Sequence, residues 1–552
     1  MWQRHRASIG LLLSTWGLFF TILFSKIIEL TPEGLYAGHV HVWGDWSLHV
    51  SLAHIFAYKS PGEWFINHPY YAGGKLTYPF LANMISGLLV RVGMSLDLAF
   101  IIPSIVFSLA LLLVMYGVYY LVLRSQKGAL LAVNFFLLAS GPGFINWLYH
   151  WFSSGAAWAD VIPKYDITRL EKEYQWLAGN FINGMLMPQR AFLIGMVLAA
   201  GSLVCLLYVM SFWETKVRFR HQQRILLLGG VLAAILPITH MHSFIALVIV
   251  AGLTCLPWWK KWQSLAWYVI PAGIISTILY FSFVAGGIEN PNFMQIRIGW
   301  TAPDTILGWF YMWWRIYGVM IPLAMLSVGL MIKDRMPWYK ISFITSFFVI
   351  FGLGNIIQFQ PIAWDNSKLF LWSYFGFSAA AAYLIITYFD RKWLPKLMGV
   401  FLCLMLVSSG LLEIARLYQF DQNRIMMSSV EDIHLGEFVR NHTPESARFL
   451  TEPTHNHPVM MWGTRPILLG YPGWAWNFGF LYHQREADIP RMYQGGSAAL
   501  ELLRHYQIEY VVVGSGELRS QKANEGFFSS QFPIVYSSPH YRVYDVRSLI
   551  LN

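Results

Sequence analysis

The chain has 552 residues, of which 56% are hydrophobic and only 12% charged, with a formal net charge of +10. Soluble globular domains carry roughly 25% charged residues, so this composition excludes a soluble protein and reads as a polytopic membrane protein. The basic residues sit in short clusters between apolar stretches, which is a topology signal and not a nucleic-acid footprint. Cys205, Cys255 and Cys403 all fall in apolar segments, so neither a disulfide framework nor a cysteine metal site is expected.

The chain opens with a basic head, Arg4 and Arg6, and an apolar run of about 20 residues, the length of a retained signal-anchor helix. Six basic clusters read as cytoplasmic: Arg4/Arg6, Arg124/Lys127, Lys216/Arg218/Arg220/Arg224, Lys260/Lys261, Lys333/Arg335/Lys340 and Arg391/Lys392/Lys396. Between them lies room for about 11 spans of ~20 residues each, at 9–29, 98–123, 128–147, 189–212, 225–239, 242–257, 264–286, 316–332, 340–356, 369–389 and 396–416. The N-terminus is then cytoplasmic, and the long connections 30–97, 140–188, 287–315, 357–368 and the tail from Leu417 all fall outside. Loops on a rigid scaffold are where function usually sits. Outside the cell there is no ATP or nucleotide sugar, so an activated donor there has to be carried on lipid.

The first outer loop is rich in histidine and aromatic residues and carries Asp45 ahead of an expected helix, Trp46 to Tyr58. Leu48, Leu52, Ile55 and Phe56 give that helix an apolar stripe suited to the membrane interface. A second amphipathic helix is expected from Tyr78 to Arg91, with Pro79 in its first turn. Asp45 reads either as a helix cap or as a general base, and the two are compatible. His39, His41, His49, His54 and His68 match no standard metal-ligand spacing.

In the second outer loop, Asp160, Lys164, Asp166, Arg169, Glu171 and Glu173 read as a solvated face. Arg190 at the start of the next span opposes the helix dipole and needs another reason to be there. His240 and His242 read as interfacial histidines with satisfied partners. Further on, Arg297, Asp304 and Arg315 are set among aromatic residues, and Asp365 and Lys368 lie where the chain re-enters the membrane. Charges at that depth are paired or functional; Asp365 and Lys368 fit an ion pair, or Lys368 fits a phosphate ligand.

From about Asp421 the composition turns globular. Helices at 431–440 and 498–505, and strands at 447–450, 508–514, 533–536 and 541–546, describe a small α/β domain. The Gly514-Ser-Gly516 turn is only a weak phosphate-loop signal. Tyr471, Trp474 and Trp476 in Pro/Gly turns form a candidate sugar-stacking platform, with His455 and His457 lining an acceptor path or binding metal. An ordinary packing interface fits these residues as well. Arg485, Arg491 and Asp488 add charge.

The layout of a first span followed by a large outer loop with an early acid resembles the GT-C superfamily of polytopic glycosyltransferases. The strings YPFLAN (78–83), LDLAFIIPS (96–104) and YLVLR (120–124) with the basic turn after it are similar to the branch containing protein mannosyltransferases and the lipid A aminoarabinose transferase. The resemblance covers the layout of residues 1–416, with local motifs only in the first 130. It implies an α-helical polytopic membrane protein with a transmembrane glycosyltransferase domain, 1–416, and an extracytoplasmic α/β domain, 417–552. It also implies an inverting transferase that moves a sugar from a polyprenyl-phosphate donor to an acceptor hydroxyl on a glycan, lipid or protein.

In that reading Asp45 is the base, and Lys368, Arg190, Arg297 and Arg315 serve the donor phosphate. Acceptor or sugar contacts fall to His49, Tyr78, Asp365, His455, His457, Trp474 and Trp476. No cofactor is required, because basic side chains can replace a divalent metal beside a monophosphate leaving group. Several family members carry paired acids where this chain has Gly44-Asp45-Trp46, which leaves the base and metal dependence open. A lipid-linked-sugar flippase would call for inverted repeats, and none is visible. A polymerase or ligase using a diphosphate-linked donor remains the alternative. Asn441 begins a glycosylation sequon, a poor guide to location, and the absence of a retention motif favours a prokaryotic plasma membrane.

Overall fold

The structure is a computed structural model that describes residues 2–170, 174, 176, 179–215, 221–302, 305–390 and 392–551. Glu171, Glu173, Lys216, Arg218, Arg220, Asp304 and Arg391 lie outside the described residues. The chain divides into two compact units, one of residues 1–25, 104–280 and 294–422, the other of residues 26–103, 281–293 and 423–552. The expected division near 416 assigned the first outer loop to the membrane part. The structure instead puts residues 26–103 with the C-terminal part of the chain.

Among the described residues seven helices are long and apolar enough to cross a membrane, by length and composition. They become eight if Ile306–Tyr317 and Met320–Lys333, bent by 85°, count as one span. Eleven spans were expected. The expected spans 242–257 and 264–286 run together in Met241–Val284, 44 residues joined through the tight turn Leu256–Lys261. The expected spans 128–147 and 225–239 are the shorter helices Gln126–Leu137 and Gln222–Ala234, of 12 and 13 residues. At 1.5 Å per residue such helices reach about 20 Å, short of a 30 Å hydrocarbon layer.

The first unit packs around Trp364–Phe389, which is 94% buried in its most apolar window. A helix apolar on all sides belongs inside a bundle. Its Gly376 explains how close a neighbour comes: a Cβ there would lie 2.0 Å from the Phe347 ring of Trp338–Ile356. Small residues at such crossings let helices gain dispersion contact in the absence of a hydrophobic drive.

The second unit is mixed. Ile28–Thr31 and Gly34–Ala37 form an antiparallel hairpin, and Gly34–Ala37 pairs on its other edge with Ile425–Ser429. Gly34, at φ +146°, is required by that closeness, since a Cβ would sit 2.1 Å from the Ser428 carbonyl oxygen. A second sheet has the order Phe449–Leu450, Tyr510–Gly514, Tyr541–Asp545, Ile534–Ser537, with the first pair parallel and the others antiparallel. Helices Val430–His442 and Ser497–His505 accompany it. This is the small α/β domain expected from the strand pattern.

Val40–Tyr58 is the helix that departs most from expectation. It begins six residues earlier than predicted, and every residue from Trp46 to Ala57 is buried. Leu48, Leu52 and Ile55 share one core with Leu435, Val439, Val459, Ile467 and Val512. An amphipathic stripe was read as an interfacial helix. In the structure the C-terminal part of the chain covers that stripe, and the helix Leu81–Arg91 packs on the side of Ala53 and Phe56, so the helix is a core element.

Candidate functional site

In the second unit, His39 caps the helix Val40–Tyr58: its Nδ1 accepts from the backbone N–H of His41 at 3.2 Å. Asp45 is therefore not the cap. It lies in the second turn and is half-buried. Residues three and four apart share a helix face, so Asp45 is aligned with His41 one turn before it and His49 one turn after. The helix dipole acts within the first turn, so it does little for a carboxylate in the second. His49 is buried in the same helix.

Trp43 is two residues from Asp45 and points from another face. Its ring centroid is 5.4 Å from that of His455. His455 stacks on Tyr471 at 3.7 Å and meets Trp474 edge-on at 4.9 Å. Tyr70 packs edge-on against Trp474 at 5.0 Å and donates its hydroxyl hydrogen to the His455 carbonyl at 2.7 Å. Three aromatic rings, those of Trp43, Tyr471 and Trp474, thus surround one imidazole, and burial pushes that imidazole down to about 4. It is uncharged at neutral pH and offers flat apolar faces. Trp476, on the helix Pro472–Asn477, is exposed. Tyr78 packs edge-on against Phe478 at 5.3 Å.

His457, grouped with His455 in the sequence, has a different place. Its Nε2 pairs with Glu517 at 3.0 Å in the interior, and its Nδ1 accepts from the Val459 N–H. Both ring nitrogens are thus engaged within the fold. Burial pushes the Glu517 carboxyl up, but hydrogen bonds from His457 and from backbone N–H groups outweigh it and leave the carboxyl below its usual value.

In the first unit the expected cations separate. Lys368 is buried and pairs with Asp365 at 2.7 Å. The loop before it is shaped by Asn366, whose Oδ1 accepts from the N–H groups of Phe359 and Gln360 and whose Nδ2 donates to the carbonyls of Gln360 and Ile362. Arg190 is buried at the first position of the helix Arg190–Glu214. Arg297 is exposed and donates to the Gln358 side chain at 3.2 Å. Arg315 is half-buried near the C-terminus of Ile306–Tyr317, where the dipole favours a cation, and donates to the Tyr311 hydroxyl at 2.7 Å.

Two arrangements in this unit differ from the sequence reading. The charged run was read as solvated, yet Asp166 is buried and accepts from Arg416 and Asn183. Beside it, Glu413 accepts from the Thr168 N–H and hydroxyl and from the Asn180 N–H. A carboxylate three residues before an arginine on an apolar helix was the available signal, since buried charges need partners. A cavity of about 550 Å³ lined by Trp147, Trp151, Asp160, Lys164 and Tyr165 contains none of the expected site residues. Among the described residues no group of three or more His, Cys, Asp or Glu side chains is placed to hold a metal ion.

No family model matches the chain, and no curated protein matches it by sequence. Solved structures do. The oligosaccharyltransferase of Archaeoglobus fulgidus with a tethered acceptor peptide is similar over 98% of this chain and 74% of its own, at 10% identity and a TM-score of 0.52. The same enzyme with an inhibitory peptide and a dolichol-phosphate is similar over 95% of this chain and 71% of its own, at 10% identity and a TM-score of 0.51. ArnT of Cupriavidus metallidurans in the apo state aligns over 99% of both chains, at 11% identity and a TM-score of 0.48. The chain thus shares the fold of the Archaeoglobus fulgidus oligosaccharyltransferase, and its apolar helices are those of a multi-pass membrane protein.

Proposed function

We propose that this protein is an inverting glycosyltransferase that moves a sugar from a polyprenyl-phosphate donor to an acceptor hydroxyl on the extracytoplasmic side of the membrane. The observation that carries the reading is the extent of the fold: the likeness to a GT-C oligosaccharyltransferase runs through 98% of the chain, membrane helices and α/β part together. A relative of that fold binds a dolichol-phosphate, which is the chemistry of the proposed donor.

In the proposed reaction Asp45 takes the proton from the acceptor hydroxyl as its oxygen attacks the anomeric carbon. The bond from that carbon to the phosphate oxygen breaks with inversion, and its electron pair leaves on the polyprenyl phosphate. Lys368 offsets the growing negative charge, with Arg190, Arg297 and Arg315 as further cations. The rings of His455, Tyr471 and Trp474 offer faces on which a sugar can stack, and basic side chains take the part a divalent metal would play.

The test is sugar transfer in proteoliposomes from a panel of radiolabelled polyprenyl-phosphate sugars and acceptors, with wild type beside Asp45→Asn. Transfer by the wild type and its collapse in a folded Asp45→Asn protein supports the reading. Equal turnover in both removes Asp45 from the chemistry.

A further inference from the structure

His240 was expected to have satisfied partners, and the structure gives it only one satisfied nitrogen. It caps the helix Met241–Cys255, where its Nδ1 accepts from the Ser243 N–H at 3.2 Å and lies 2.9 Å from the Ser243 hydroxyl. An N–H can only donate, so Nδ1 carries no hydrogen and the proton of this imidazole is on Nε2. That Nε2–H is buried and has no acceptor among the described residues. Leaving a buried donor unmade is costly.

The ring is held firmly in this state. Trp372 donates to the Ser243 hydroxyl at 3.1 Å, and the Phe192 ring lies 4.9 Å from the imidazole. Gly195 makes the approach possible, since a Cβ there would sit 2.6 Å from the His240 Cβ. Nearby, His242 lies with its ring centroid 5.7 Å from that of His240, and its Nε2 is likewise buried with no partner among the described residues. The buried ammonium of Lys368 acts electrostatically on both rings, and the Asp365 carboxylate paired with it acts on His242 as well. A buried N–H donor without a protein acceptor among the described residues, beside the Lys368–Asp365 pair, suits a ligand that accepts a hydrogen bond, and a charged acceptor is bonded most strongly.

We infer that His240, as a neutral imidazole with its proton on Nε2, donates a hydrogen bond to the phosphate of the lipid-linked substrate, beside Lys368. His242 supplies a second ring nitrogen to the same anion. This rests on the proposed lipid-phosphate donor and adds a binding group that carries no charge of its own. Ser243 is a positioning residue that fixes the tautomer.

The experiment measures binding of undecaprenyl phosphate, and of undecaprenol as the phosphate-free control, to the full chain in detergent. Wild type is compared with His240→Phe, which keeps a ring but no donor, and His240→Gln, whose amide N–H falls near the position of Nε2. A hydrogen bond to a charged group corresponds to roughly a tenfold change in affinity. The expected result is about tenfold weaker phosphate binding in His240→Phe, unchanged undecaprenol binding, and recovery of most of the loss in His240→Gln. Equal phosphate affinity of wild type and a folded His240→Phe overturns the inference and leaves the proposed function standing. A His240→Gln protein that folds and loses as much as His240→Phe also overturns it. Failure of the wild type to prefer undecaprenyl phosphate over undecaprenol overturns both.

Discussion

The Tyr70 hydroxyl donates to the carbonyl oxygen of His455 at 2.7 Å, across 385 residues of sequence. The same hydroxyl lies 3.4 Å from the Ser51 hydroxyl on the helix that carries Asp45. One phenol thus links that helix to the turn that holds the His455 ring against Tyr471 and Trp474. Tyr70→Phe keeps the packed ring and removes the link. The expected loss is about 1 kcal/mol of stability, read as a small fall in melting temperature, with a higher KM for the acceptor and little change in kcat.

Asp45→Asn preserves size and hydrogen bonding but cannot accept a proton. Loss of a general base costs roughly 10²–10⁴ in rate, so kcat for transfer falls by that order while the affinity for undecaprenyl phosphate stays at the wild-type value. A fall in lipid affinity of the same size would assign Asp45 to binding.

Burial sets an acid limit on the second unit. His54, whose Nδ1 lies 2.6 Å from the Met461 carbonyl oxygen, is pushed down to about 4, and His68 to about 3. The unfolded chain takes up these protons near pH 6.5 and the folded one does not. Stability therefore rises with pH between about 4 and 6.5 and is lost as pH falls through that window. For His54 alone the shift to about 4 amounts to roughly 3 kcal/mol. Melting temperature followed from pH 7 to pH 4 should fall, and His54→Phe should make the fall shallower by one titrating group.

Glu517 has the opposite origin and the same direction. Its folded carboxyl lies below the unfolded value because His457 and backbone N–H groups bond the charged form. Its stabilisation is present above the unfolded pKa and is lost as pH falls through the folded one. Glu517→Gln replaces the charged acceptor of the bonds from His457 and the backbone N–H groups by a neutral one, and a loss of about 1–3 kcal/mol is expected. Chemical denaturation at pH 7 measures it.

In the first unit, Asp166→Asn removes the carboxylate that pairs with the buried guanidinium of Arg416. Removing one member of a buried pair costs about 3–5 kcal/mol. Thermal unfolding in detergent should show it, and the double variant Asp166→Asn with Arg416→Met should recover part of the loss, because the buried charge is then gone.

Composition and periodicity are local properties, and what depends on them was legible in the chain. The low charge and long apolar runs established a polytopic membrane protein. The apolar run 508–514 is the strand Tyr510–Gly514, and the helix expected at 431–440 is Val430–His442. Asp365 and Lys368, three residues apart, form the pair their spacing suggested. Burial depends on what covers a face, and no single stretch of sequence carries that. The stripe on Val40–Tyr58 was legible, but the C-terminal residues that bury it lie some 380 or more positions away. Asp166 looked solvated until Arg416, 250 residues later, was packed against it. His455 and His457 are two residues apart, yet one is ringed by aromatic side chains and the other is tied to Glu517. The proton position on His240 was fixed only when the helix Met241–Cys255 formed and presented the Ser243 N–H to Nδ1.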